Sequence, residues 1–192
     1  MFNDRYGLTA AVLQGRKTMT RRIVPTQYVP MIEDGLQGAA LIEAQRHGDA
    51  YRENEIVAVA QSYETLANSG HLDKMVVPAN NPVKCEFKKE YCNPGWLNKM
   101  FVRADLMPHQ IQITDINIER LQDISNTDCL KEGIILVKDW EKKIVLPFTY
   151  QNTNATFATG QMAFAALIDK ISGKGTWQSN PYVFAYSFKL IK

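Results

Sequence analysis

Cysteine and histidine are scarce in this 192-residue chain, with three of each. Cys85, Cys92 and Cys129 cannot all pair with one another, and their spacing is not that of a zinc site. His47, His71 and His109 do not cluster with them in the sequence. Reduced thiols without a catalytic or metal-binding part are the expectation, and they suit a reducing cytosol. No metal and no cofactor is expected. Long apolar runs are also missing: none approaches the roughly 18 residues of a membrane span. The start, "MFNDRYGLT", is polar and lacks the apolar centre of a signal peptide. A cytoplasmic protein with no membrane partner is expected. The glycine-rich phosphate loops GxGxxG and GxxxxGK[ST] are absent, and "GKGT" (Gly173–Thr176) has no upstream glycine and the wrong order. A net charge of +2 is too small to make the whole surface a polyanion-binding one, so any basic site is local.

What is present is ordinary for a folded protein: 45% apolar and 22% charged residues. A chain of this length buries roughly 70% of its unfolded surface, so it needs no staples. One domain over 1–192 is expected, with an irregular insertion at about 25–95. A first helix is expected from about Arg5 to Gln14, capped by Asn3 or Asp4 and ended by a left-handed Gly15. "EIVAVAQSY" (Glu55–Tyr63) reads as a buried strand, and Thr65–Gly95 as an excursion of long loops, with or without a helix, holding the turn clusters "ANSGH" and "PANNP". "IQITDINIERL" (Ile111–Leu121) alternates, but its phase slips, which a bulge or bend near Thr114–Asp115 reconciles. "SNTDCLKEG" carries a capping pattern, Ser125 with Asp128, and predicts a short helix over about Asn126–Glu132. "TGQMAFAALIDKISG" predicts a helix from a Thr159 cap to Gly173, with Met162, Ala166, Leu167 or Ile168, and Ile171 as its apolar face. "YVFAYSFKLI" reads as a last strand with Phe184, Tyr186, Phe188 and Leu190 on one face. No βαβ rhythm exists, so a small barrel with short helices at its openings fits better than a parallel sheet.

The chemistry concentrates in "GRKTMTRRI" (Gly15–Ile23), where Arg16, Lys17, Arg21 and Arg22 interleave with Thr18 and Thr20. A threonine hydroxyl becomes a nucleophile only with a base beside it and donors for the developing oxyanion. A lysine serves as that base if burial or neighbouring cations lower its pKa. The arginines would stabilise an anion or hold a phosphate in bidentate fashion. The plainer alternative is a solvated basic turn at the negative end of a helix. Glu132 falls in the last turn of a short helix, where a carboxylate is unfavourable by about 0.3–1 kcal/mol unless a cation compensates. A partner such as Lys17 would remove that cost; an exposed Glu beside Lys131 is the alternative. In "GKGTWQSNPYVF" (Gly173–Phe184), Trp177 and Tyr182 are candidates to stack on a base and Asn180 to read a base edge. They equally suit barrel-end packing and a turn before a strand.

Three segments in order, "LQGRKTMTRR", "ITDINIERLQDISNTDCLKEGI" and "FAALIDKISGKGTWQSNPYVFAYSF", resemble the ASCH domain, a family of the PUA-like superfamily. The resemblance is to its longer members, found in phage and mobile-element settings. It implies an α+β fold: a PUA-like small β-barrel with flanking short helices and a long central insertion. It implies RNA or a nucleoside as partner. A much smaller ASCH relative is an amidohydrolase that removes the acetyl group of N4-acetylcytidine with a lysine, a threonine and a glutamate. Lys17, Thr20 and Glu132 match those positions, as catalytic residues. Arg16, Arg21, Arg22, Trp177, Asn180 and Tyr182 are then the substrate- or RNA-binding set. A non-catalytic RNA-binding module and a ribonuclease are the alternatives. One departure stands out. Longer members show a "VRExW"-like pattern after the central strand, and "VAQSY" here puts Gln61 and Tyr63 in place of the acid and the aromatic.

Overall fold

The computed structural model describes residues 2–71, 95–137 and 148–191. The turn cluster at 78–82, Cys85 and Cys92 lie outside the described residues. The fold is mixed, with short helices and a four-stranded antiparallel sheet that curls as a half-barrel. This bears out the α+β part of the expectation.

The chain begins with a single 3-10 turn, Asp4–Tyr6, and then helix α1, Leu8–Leu13. One continuous helix from Arg5 was expected. Gly7, at φ 63°, breaks it, because a left-handed residue interrupts the hydrogen-bond ladder. Gly15 takes the left-handed conformation expected of it (φ 70°). The backbone then doubles back, with the N–H groups of Arg16 and Lys17 both donating to Ala11 O at 2.9 and 3.0 Å. Strand β1, Met19–Ile23, follows at once.

Residues 25–56 contain more order than the irregular insertion expected there. Helix α2 is Val29–Glu33, with a proline in its first turn where a missing N–H costs nothing. Helix α3 is Gln37–His47. It buries Ala40 and Ala44 and ends on left-handed Gly48, with Arg46 and His47 at its negative end. Strand β2 is only Ile56–Ala58, shorter than the expected Glu55–Tyr63. The strand gives way because Ser62 caps helix α4, Tyr63–Asn68, its side chain accepting the Thr65 N–H. A cap with Glu64 in the first turn outweighs the β-branched run before it.

Strand β3, Gln110–Arg120, shows the anticipated phase change. Ile111 and Ile113 are buried, Thr114 and Asp115 are both exposed, and burial resumes at Ile116. Helix α5, Asn126–Lys131, has its Ser125 cap, which accepts the Asp128 N–H at 3.0 Å. Strands β4 (Ile135–Leu136) and β5 (Phe148–Thr149) form a separate antiparallel pair. Helix α6, Gly160–Ser172, starts at the Thr159 cap as expected. Leu167 is buried as expected, but Ala163 and Phe164 share its face, while Met162 is 54% and Ile171 37% exposed. One turn follows as helix α7, Thr176–Ser179, and then strand β6, Tyr182–Leu190.

The main sheet has the order β1-β6-β3-β2. β6 is internal, between β1 and β3. Val183, Phe184, Ala185 and Tyr186 are buried in succession, so both faces of the strand are covered and it loses the one-sided pattern read from its alternation. β1 pairs with β6 in the register Thr20↔Tyr186 and Arg22↔Phe184.

The chain divides into two compact units. The larger comprises Asn3–Ile56 and Gln112–Leu190; the smaller holds Val57–Ile111 with the two chain ends. The larger unit thus includes residues 25–56, the first part of the expected insertion. The smaller has its own core of Tyr63, Leu66 and Met107, against which Trp96, Val102 and Leu106 pack.

Candidate functional site

The segment Gly15–Ile23 lies in the larger unit, where it meets the end of α5. Thr18 N donates to Lys131 O at 2.9 Å, fastening the entry of β1 to the helix terminus. Lys17 turns inward and is 2% exposed. Its Nζ donates to Glu132 Oε2 at 2.6 Å, Glu132 O at 2.8 Å and Met19 O at 2.7 Å. Glu132 is itself 4% exposed. It sits at the C-cap of α5, where the helix dipole disfavours it, and one ammonium answers both its carboxylate and its terminal carbonyl. The next residue, Gly133, has φ 102°, and a Cβ there would lie 3.1 Å from Leu8 Cδ2 and 3.7 Å from Lys17 Cδ. Glycine suits that left-handed backbone and avoids the tight approach to Leu8, while 3.7 Å to the lysine stem is an ordinary contact.

Arg21 completes the network from β1. Its NH1 donates to Glu132 Oε1 at 3.1 Å and its Nε to Glu119 Oε1 at 2.8 Å. NH2 lies 2.6 Å from the same Glu119 oxygen without hydrogen-bond alignment, and 3.9 Å from Asp128 Oδ2. Asp128 is bonded in turn by Lys131 Nζ at 3.0 Å and by the Ser125 hydroxyl at 2.9 Å. Glu132 therefore bridges two buried cations. Burial pulls the Lys17 ammonium below its usual pKa of 10.5, while the Glu132 charge and hydrogen bond act in the opposite direction. Burial works to raise the Asp128 carboxyl, but the bonds from Lys131 and Ser125 outweigh it and the net shift is downward from 3.8. Cys129, buried beside this network, has its thiol pushed up to about 12, chiefly by burial. It is a packed side chain, not a nucleophile.

Of the three residues matched as catalytic, the structure brings Lys17 and Glu132 together. Thr20 is not part of their hydrogen-bond network. Successive strand residues face opposite ways. Arg21 points to Glu132, so Thr20 and Arg22 share the other face of β1, opposite Tyr186 and Phe184. No hydrogen bond joins Thr20 to Lys17 or Glu132, and Thr20 is half-buried. An ammonium has three donors and no acceptor. With all three spent on oxygens, Lys17 has no lone pair directed at a hydroxyl.

The binding candidates also separate. Arg16 and Arg22 are exposed, whereas Arg21 is 7% exposed and paired with carboxylates. Arg16 Nε donates to Gln14 Oε1 at 3.0 Å. Its side chain lines an apolar pocket of about 400 Å³ with Leu130, Ile134, Ile135 and Leu136. The Gly173–Tyr182 turn is held from beneath. Asp169 accepts the N–H groups of Gly175 at 3.2 Å and Trp177 at 2.8 Å. Trp177 is half-buried, edge-on to Phe164 at 6.3 Å between ring centroids. Asn180, left-handed at φ 44°, accepts the Gln122 N–H through Oδ1 at 2.9 Å. The Arg120 guanidinium lies over the Tyr182 ring at 3.7 Å. Asp169, Gln122 and Arg120 were not anticipated. An Asp in the last turns of a helix ahead of "GKG" is a readable signal for the first; the other two depend on the pairing of β3 with β6.

Fold and site together define an α+β protein with an antiparallel half-barrel and a buried Lys–Glu–Arg network at the edge strand of its sheet. No family model, no curated protein and no solved structure matches the chain. Among the described residues there is no group of three or more His, Cys, Asp or Glu side chains able to hold a metal, and no helix is long and apolar enough to cross a membrane.

Proposed function

We propose that this chain is an RNA- or nucleoside-binding protein of the PUA-like ASCH type, and that the basic segment binds rather than hydrolyses. The family reading rests on the three sequence segments in their order. The observation that carries binding over catalysis is the saturation of Lys17: its three donors are fixed on Glu132 and Met19. The network then anchors β1 so that Arg16 and Arg22 are presented outward. Phosphate contacts of this kind give an affinity that falls steeply with salt. Titrating a short single-stranded RNA at several salt concentrations tests it. Affinity that declines with salt, and declines less in Arg22→Ala, is the expected result; affinity flat in salt rejects it.

The Lys17–Glu132 contact at 2.6 Å favours one second reading, the amidohydrolase. In that reading Thr20 attacks the acetyl carbonyl, Lys17 takes the hydroxyl proton, Glu132 relays it from Lys17 to the leaving amine as the C–N bond breaks, and water then hydrolyses the acetyl-threonine ester to acetate. It requires Lys17 to release one of its present acceptors and Thr20 to reach it. Release of cytidine from N4-acetylcytidine, lost in Thr20→Ala, would establish it. No release by the native protein removes it and leaves binding.

A further inference from the structure

The run "GIILV" (Gly133–Val137) puts four apolar residues in a row just after α5. Of these only Ile134 is buried, at 4% exposure, while Ile135 and Leu136 are half-buried. Leu130, near the end of the helix, is 37% exposed. Among the described residues, these three and Leu130 line the pocket of about 400 Å³ together with Arg16, all of them in the larger unit. Backbone bonds fix the walls. Ile134 N donates to Cys129 O at 3.1 Å, and Ile135 and Leu136 pair with Thr149 and Phe148 across β4 and β5. The Thr18–Lys131 bond at 2.9 Å sets the Arg16 segment beside them. Small-ligand sites have this character: mostly apolar, with a few polar groups that fix orientation. Here Arg16 is the polar group among the described lining residues.

Its guanidinium is held at one point only. Nε donates to Gln14 Oε1 at 3.0 Å, and among the described residues no carboxylate pairs with Arg16 and no other bond engages its side chain. NH1 and NH2 therefore stay available, and that end of the fork takes two oxygens through parallel bonds. A cation at the rim of an aliphatic wall selects an anion with an apolar body. The number of charges decides which anion. A phosphate monoester carries roughly −1.5 to −2 at neutral pH, more than one arginine offsets, whereas a carboxylate carries a single charge. A cavity of about 150 Å³ holds benzene, so the pocket at about 400 Å³ admits a tail of roughly eight carbons. We infer that this pocket binds an aliphatic monocarboxylate, with the carboxylate on Arg16 and the tail against Leu130, Ile134, Ile135 and Leu136. The inference goes beyond the RNA reading and does not depend on it. An acid bound there competes with RNA for Arg16 alone.

The test titrates octanoate, hexanoate and octanamide into the full chain by calorimetry, and into Arg16→Gln and Leu130→Ala, with thermal unfolding to show that both variants fold. One saturable site per chain is expected. Octanoate should bind at least about tenfold more tightly than octanamide, the effect of a charge-assisted pair. It should exceed hexanoate by about fourfold for each methylene lost. Arg16→Gln should bring octanoate down to the level of octanamide and leave octanamide unchanged, while Leu130→Ala weakens both together. If a variant does not fold, the three compounds on the native protein decide the matter. Acid and amide bound equally, octanoate affinity untouched by Arg16→Gln, or binding that never saturates overturns the inference. So does a chain that binds no acid. If that chain also sediments as a dimer and Leu130→Glu makes it monomeric, the pocket belongs to a second copy instead.

Discussion

Two cations of the segment Gly15–Ile23 turn into the protein and two turn out. Lys17 and Arg21 are buried and share Glu132; Arg16 and Arg22 stand in solvent. Their charges are identical and their positions interleave, yet their surroundings have opposite consequences. Inside, each charge carries a desolvation cost that only its partner offsets, so removing one member leaves the other exposed to the full penalty. Outside, solvent screens each charge and a ligand can reach it. Density of charge along a sequence therefore says little about charge available for binding. Strand parity and the position of a distant glutamate decide that.

The contrast is broken most strongly at Glu132. Glu132→Ala leaves Lys17 and Arg21 buried with neither carboxylate oxygen between them, and is expected to cost about 3–5 kcal/mol in urea unfolding. A loss under 1 kcal/mol would mean that the inward pair is not coupled to the fold. Lys17→Met retains the apolar stem and leaves Glu132 bonded to Arg21, stranding the carbonyls of Met19 and Glu132. It should cost less, about 1–3 kcal/mol by the same measurement. Asp128 gives the pH dependence. Its carboxyl lies below 3.8 in the fold, so on acidification the unfolded chain takes up the proton first. Its stabilising contribution is complete above that ordinary value and disappears as pH falls through the folded one. Asp128→Asn should flatten this acid limb of the stability curve by lowering stability at neutral pH, and leave stability below the folded value almost unchanged. The outward pair gives the smallest effect. Arg22→Ala should leave unfolding within about 0.5 kcal/mol of the native protein, as exposed substitutions do. If RNA is bound, it should reduce the salt slope by about one phosphate contact.

Local signals were the legible part of this sequence. The Ser125 and Thr159 caps, left-handed Gly15 and the phase change at Thr114–Asp115 each depend on a few adjacent residues, and each is found where expected. Glu132 stood out because its position at a helix end demanded a cation, and Lys17 supplies one. What could not be read depends on distant partners. β6 proved internal because β1 and β3 flank it, which its own alternation does not show. The turn at Trp177 and Asn180 is filled by Asp169 and Gln122, contacts made through helix packing and strand register. The "EIVAVAQSY" run yielded to a cap because β propensity is weak where pairing is short.

The Lys17–Glu132 bond closes 115 residues of chain, and the Arg21–Glu119 bond 98. Among the described residues β1 pairs with β6 alone. During synthesis the basic segment leaves the ribosome 98 to 115 residues ahead of the acids that pair with it, and ahead of its neighbouring strand β6 as well. Such a high contact order makes docking of β1 a late folding step. Until then all four cations of the segment are hydrated and open to any polyanion nearby, the ribosome's own RNA included. Folding is what removes Lys17 and Arg21 from that competition, and the newborn chain is a stickier molecule than the finished one.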